Sequence, residues 1–176
     1  MHTLIQEAVK ITQDLGDVVF VGAVRIFLQT KATRESQDLY IAVAKELPAE
    51  LLYGKRYFVR KVKGKEARYT PRGYKIDIYT RDLSGIPIDR VVATATDIEV
   101  KKGVTIKAAS LEVLVVSKFR AAAKRRGTDD VDIRTLAQRK YKEMDWNVLK
   151  SLTKSVIEFQ RIKREMDMLH RMQLRF

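Results

Sequence analysis

A chain of 176 residues, 45% hydrophobic and 32% charged, is long enough to bury a core and suits one domain, or one domain with a helical annex; this composition fits a soluble globular protein and argues against disorder. It has no cysteine, which excludes disulfides and thiolate metal sites, and its two histidines, His2 and His170, stand near opposite termini, which argues against a histidine-built zinc site or a Ser-His-Asp triad. Thirty-five basic residues against 22 acidic ones leave +13, a field that attracts polyanions.

The start, MHTLIQEAVK, has an early acid and no long apolar run, so it is no signal peptide. No stretch approaches the length of a membrane span, and a cytoplasmic protein is expected. One asparagine, three prolines and abundant Lys, Arg and Glu lean toward a thermophile.

Thr3 and Gln6 form a capping-box pattern, and Leu4, Ile5, Ala8, Val9 and Ile11 give helical spacing to Leu15, where Gly16 stops the helix. The continuous apolar run Val18 to Val21 predicts a buried strand turning at Gly22. AVRIFLQT follows as a short helix, and Leu39 to Val43 as a second strand. Pro48 opens a short helix that closes at Gly54. Tyr57 to Val62 is a candidate strand, KGKEARYTPRG reads as a flexible basic turn, and Tyr74 to Tyr79 alternates cleanly. In that last strand Tyr74, Ile76 and Ile78 share one face, and Lys75, Asp77 and Tyr79 the other. Residues 85–106 hold short β-prone pieces. Ser110 then caps a helix to about Arg126, Asp129 begins another, and Asp145 caps a third that runs unbroken to Met172. Leu152, Val156, Phe159, Ile162, Met166 and Leu169 make its apolar stripe, packing on the body or on a partner. The expected fold is α+β: a small mixed sheet with helices over 1–108, then a helical C-terminal part over 109–176, able to pack as one domain.

Charge concentrates in Gly54 to Lys75, where Lys55, Arg56, Arg60, Lys61, Lys63, Lys65, Arg68, Arg72 and Lys75 face a single acid, Glu66. Tyr57, Phe58, Tyr69 and Tyr74 are interleaved, a pattern suited to phosphates and bases. A solvated basic surface is the plainer reading.

Gly22, Asp38 and Asp77 carry the candidate chemistry. If the two Asp-bearing strands are neighbours, both carboxylates converge near the helix that starts at Gly22, where a metal and a phosphate can be held together. The plainer alternative is that Asp77 only pairs with a nearby lysine.

Several stretches in order resemble the nucleotidyltransferase-fold proteins of the minimal and toxin–antitoxin-associated kind. VVFVGAVRIFLQTKATRESQDLYIAV is similar to that family's first motif, with Gly22-Ala23, Arg34-x-Ser36 and Asp38-Leu39-Tyr40 in corresponding places. YKIDIY looks like the strand with the family's third aspartate, at Asp77. Ser110, Glu112, Leu114, Lys118 and Ala121, then Asp129, Asp132, Ile133 and Leu136, match the family's later helices. The likeness covers about residues 17 to 137 and leaves the basic segment and the last helix aside.

The resemblance implies transfer of a nucleotidyl group from a nucleoside triphosphate, possible RNA as acceptor, with Mg2+ (or Mn2+) held by Asp38 and Asp77. Gly22, Ala23 and Lys118 would meet the phosphates. Lys118 equally reads as a solvated lysine beside Arg120, Lys124, Arg125 and Arg126. Asp129 and Asp132 read as helix-orienting, Trp146 as a packing anchor and Arg34 as a structural partner of a carboxylate.

The sequence departs from the family twice. Ala23 lacks the hydroxyl of a Ser, and Tyr40 stands where the family has its second Asp. A phenol is neutral at pH 7 and a poor Mg2+ ligand, so a degraded or altered centre is implied. Tyr40 then fills the vacated space and bonds Asp38, or stacks on a base or sugar. The alternatives to a transferase are a catalytically inactive nucleic-acid-binding module on the same fold, using Lys55, Arg56, Arg60, Lys61, Lys63, Lys65, Arg68 and Arg72, and a toxin–antitoxin component. A partner protein or a second copy would dock through the last helix.

Overall fold

The computed structural model describes residues 2–30, 38–123 and 127–173. Arg34, Ser36, Lys124, Arg125 and Arg126, named above, lie outside the described residues. In chain order the elements begin with α1 (His2–Leu15), β1 (Val19–Val21), α2 (Gly22–Thr30), β2 (Asp38–Ala42) and α3 (Ala49–Gly54). Then come β3 (Phe58–Val62), β4 (Lys65–Tyr69), β5 (Lys75–Tyr79), β6 (Asp82–Leu83), β7 (Ile86–Pro87), α4 (Ile88–Ala93), β8 (Thr96–Lys101) and β9 (Val104–Ala108). The helices α5 (Leu111–Ala122), α6 (Thr128–Lys140), α7 (Trp146–Leu152) and α8 (Val156–Gln173) follow.

Among the described residues seven strands form one mixed sheet in the order β3-β4-β5-β2-β1-β9-β8. The apolar run of β1 is central and buried at every position, as a strand covered on both faces must be. It is antiparallel to β2 and parallel to β9, while β2 is parallel to β5. Alternation sorts the side chains into two layers. Phe20, Leu39, Ile41 and Ile76 pack against Leu4, Ala8 and Ile11 of α1. Val19, Val21 and Ala42 face the other way, into a cluster with Leu114, Leu136, Leu149, Ile162 and Met166 of the C-terminal helices. Each such fully buried aliphatic side chain contributes about 1.5–3 kcal/mol. The helical C-terminal part thus roofs one face of the sheet.

Three local expectations are corrected. The stretch expected as a flexible turn contains β4. Val62 pairs with Lys65 across Lys63 and Gly64, which have φ of 50° and 77°, so a two-residue turn with positive φ closes a β3–β4 hairpin. Within 85–106 stands the short helix α4, opened by Pro87. The helix expected from Asp145 to Met172 is broken between α7 and α8. Ser155-Val-Ile-Glu158 is a capping-box sequence: the Glu158 N–H donates to Ser155 Oγ at 3.1 Å. The restart turns Val156 out to solvent at 58% exposure, while Ile162 and Met166 of the same stripe are fully buried on the body.

Candidate functional site

β2 and β5 are neighbours, in a register that sets Asp38 opposite Lys75 and Tyr40 opposite Asp77. Cross-strand partners share a face, so these four side chains form one patch on the face roofed by the C-terminal helices. Lys75 Nζ lies 2.9 Å from Asp77 Oδ2 and 3.9 Å from Asp38 Oδ2. Both carboxylates therefore converge, and an ammonium stands between them. Burial pulls the Lys75 pKa down, but the hydrogen bond to Asp77 and the charges of Asp77 and Asp38 outweigh it and raise it above the ordinary lysine value.

The Tyr40 hydroxyl donates to Asp38 Oδ2 at 3.3 Å. Its pKa is pushed up to about 12, first by burial and then by the charges of Asp38 and Asp77. It is a neutral phenol at any physiological pH. Its ring lies over the junction where β1 becomes α2, because Val21 pairs with Tyr40. Gly22 there has φ of +64°, and a Cβ on it would stand 2.9 Å from Tyr40 Cδ2. Glycine is required at that position by both conformation and space. Tyr40 thus fills the room beside Asp38, the blander of its two roles, and stacks on Tyr79 with centroids 6.5 Å apart.

Ala23 is buried in the first turn of α2. Lys118 of α5 lies 2.8 Å from Asp129 Oδ1 and 2.7 Å from Asp132 Oδ2 of α6, with its side chain 13% exposed. It is not a solvated lysine: its ammonium is held by these two carboxylates. Asp129 and Asp132 spend their charge on it, tying α6 to α5. Trp146 is half-buried against Tyr141, with Lys163 Nζ 5.0 Å from its ring centroid, as a packing anchor should be.

As it stands, the donor set does not fit a divalent ion. Such ions take several oxygen ligands, and a two-metal clamp needs more carboxylates than this patch offers. Two carboxylates, a protonated phenol and an ammonium form an internal ion pair instead. Among the described residues no group of three or more His, Cys, Asp or Glu could hold a metal.

The basic segment does not form one patch. The hairpin alternates its side chains: Phe58, Arg60, Lys65 and Tyr69 share the face of Asp38 and Asp77, because Phe58 pairs with Tyr69 and Tyr69 with Lys75. Lys61 and Arg68 point to the opposite face, and Lys63 lies at the tip. Lys55, 3.9 Å from Asp14, and Arg72, 3.6 Å from Glu7, reach buried acids of α1 and tie the hairpin down. Arg56 is exposed in the turn before β3. Tyr57, at 2% exposure, is core. Sequence alternation around Lys75 hinted at its pairing with Asp77. Its reach to Asp38 depends on a cross-strand register that one strand cannot reveal.

No protein-family profile and no curated protein matches this sequence. Solved structures do match over nearly the whole chain. An antigenic nucleotidyltransferase-like protein from Paracoccidioides brasiliensis superposes with a TM-score of 0.58 at 13% identity, over 93% of this chain and 85% of that one. The antibiotic-resistance factor ANT(2'')-Ia gives 0.56 at 12% identity, over 96% of both chains. JHP933 from Helicobacter pylori gives 0.54 at 16%, over 99% of this chain and 92% of that one. At these identities the likeness is one of fold, and that fold is nucleotidyltransferase-like.

Proposed function

We propose, from the nucleotidyltransferase-like fold and the patch it carries, that this protein is a nucleic-acid-binding module in which Lys75 stands in the metal's place. The observation that carries the reading is the ammonium between Asp38 and Asp77, 2.9 and 3.9 Å from their oxygens. With Tyr40 over the β1–α2 junction, the patch is complete without a divalent ion. The ligand class follows from charge: +13 overall, with Arg60, Lys65 and the tip residue Lys63 on the exposed hairpin. RNA is the favoured polyanion, and a cytoplasmic location goes with it. Among the described residues no helix is long and apolar enough to cross a membrane.

Metal-dependent nucleotidyl transfer from a nucleoside triphosphate is the second reading. It is favoured by the convergence of Asp38 and Asp77 on one face beside the start of α2. It requires Lys75 to withdraw so that Mg2+ or Mn2+ enters, and the phosphates to reach Gly22 and Ala23 past the Tyr40 ring. The test is fluorescence anisotropy with a labelled single-stranded RNA, using Asp38→Ala and Asp77→Ala as controls. Binding indifferent to both changes and to chelator supports the module. Binding that needs both aspartates and a divalent ion supports the transferase.

A further inference from the structure

Phe58 and Tyr69 are stacked across β3 and β4, with centroids 5.6 Å apart and planes 13° from parallel. The Arg60 guanidinium lies 4.8 Å from the Phe58 centroid and 5.7 Å from that of Tyr69. Large aromatic rings on a sheet face normally join the core, yet these two belong to neither core cluster and are only half-buried. On the hairpin's part of that face the charge is positive, from Arg60 and Lys65 with Lys63 at the tip, while Asp38 and Asp77 farther along the same face are paired with Lys75. Beside them β4 pairs with β5 at only two positions, Arg68↔Ile76 and Tyr69↔Lys75. A cleft of about 450 Å3 lies beyond those pairs, but Val59, Glu66, Arg68, Ile76 and Ile78 of its lining belong to the opposite face of the sheet, so it is no part of the aromatic surface.

We infer that Phe58, Tyr69 and Arg60 form a stacking subsite for an unpaired nucleobase of a single-stranded nucleic acid. The inference rests on the ligand class proposed above and assigns it a place. Every base has a π-face, so stacking on Phe or Tyr is tolerant of sequence, and a guanidinium plane adds to the same surface. Charge complementarity selects the occupant: the strand's phosphates lie on Arg60, Lys65 and Lys63 while the base covers the rings. A cross-strand pair that merely stabilises the hairpin is the competing account.

The test measures anisotropy with three labelled strands of equal length: an oligouridylate, its DNA counterpart and an abasic deoxyribose-phosphate strand. The wild type is expected to prefer the base-bearing strands by about 10-fold or more, the usual weight of one stacked base. Phe58→Leu and Tyr69→Leu keep apolar volume without a ring face. They should erase that preference and leave abasic binding unchanged, while Tyr69→Phe retains it. The ratio of RNA to DNA affinity assigns the sugar. If the wild type binds all three strands equally, or the Leu variants keep the preference and change only the melting temperature, the subsite is overturned while the ligand class stands. If the wild type binds none of them at low salt, both readings fall.

Discussion

Replacing Tyr40 by Asp and Lys75 by Ala together converts the patch into three carboxylates without a cation. The Tyr40 ring is half-buried against Gly22 and Tyr79, so its loss costs about 1–2 kcal/mol, roughly half the value of a fully buried aromatic. The Lys75 pairs involve carboxylates 36–40% exposed, so their loss adds about 0.2–1 kcal/mol, and like-charge repulsion comes on top. A total of about 2–3 kcal/mol lowers the melting temperature of a chain this size by about 5–10 °C. Mn2+ at about 100 times its Kd binds only the folded state and returns about 2.7 kcal/mol, most of that drop. The assay is thermal melting of wild type, Tyr40→Asp and the double variant, with and without Mn2+. The wild type should not move. Tyr40→Asp alone should respond less than the double variant, because the resident ammonium still competes. Equal shifts in all three proteins would refute the reasoning: Tyr40 would not stand at a ligand position, and Lys75 would be no barrier to a metal.

Gly22→Ala should destabilise by about 1–3 kcal/mol in chemical denaturation, because it combines φ of +64° with a 2.9 Å contact to the Tyr40 ring. Adding Tyr40→Ala should relieve the contact and leave the backbone strain. Arg120, 9% exposed, donates to Glu158 from Nε at 2.8 Å and from Nη2 at 2.9 Å, and also to the carbonyls of Ser84 and Leu152. Arg120→Leu, which orphans these acceptors, should cost about 3–5 kcal/mol by the same measurement. The hydrogen bond from Arg120 holds the Glu158 carboxyl below its ordinary value, so the stability it adds is present above about pH 4.3 and is lost as pH falls through the lower folded value. Glu158→Gln should accordingly flatten the acid limb of a stability-against-pH curve. In salt titrations of single-strand binding, Arg60→Glu and Lys65→Glu should each reduce the log–log slope by about 0.7 or more. Lys55→Glu and Arg72→Glu should act mainly on stability, since those residues engage Asp14 and Glu7.

How much was legible in the sequence follows from the range of each interaction. The central strand β1 and the helix α5 capped by Ser110 were readable because hydrophobic period and caps are local. The nucleotidyltransferase-like fold was readable from the order of several motifs. The hairpin strand β4 was missed because its own composition is basic and β-poor; pairing with β3 and a Lys63–Gly64 turn make it a strand. The break before α8 was legible in Ser155-Val-Ile-Glu158 but was masked by an apolar stripe that continues across it. At the site, period-two reasoning put Asp38 on the face of Tyr40 and Asp77 on the face of Lys75, and their convergence was expected only if the two strands were neighbours, which β2 and β5 are. The bridging position of Lys75, the fit of Tyr40 on Gly22 and the division of the basic segment between two faces all depend on register between strands, which a single chain segment does not encode.

The most direct test is calorimetric titration of the wild-type protein with Mg2+ and a nucleoside triphosphate, alongside Asp38→Ala and Asp77→Ala. With the Lys75 ammonium holding both carboxylates, the account predicts no metal-dependent triphosphate binding that either aspartate variant abolishes. Tight, stoichiometric binding of the metal–triphosphate pair that disappears in both variants would contradict it and restore the transferase reading.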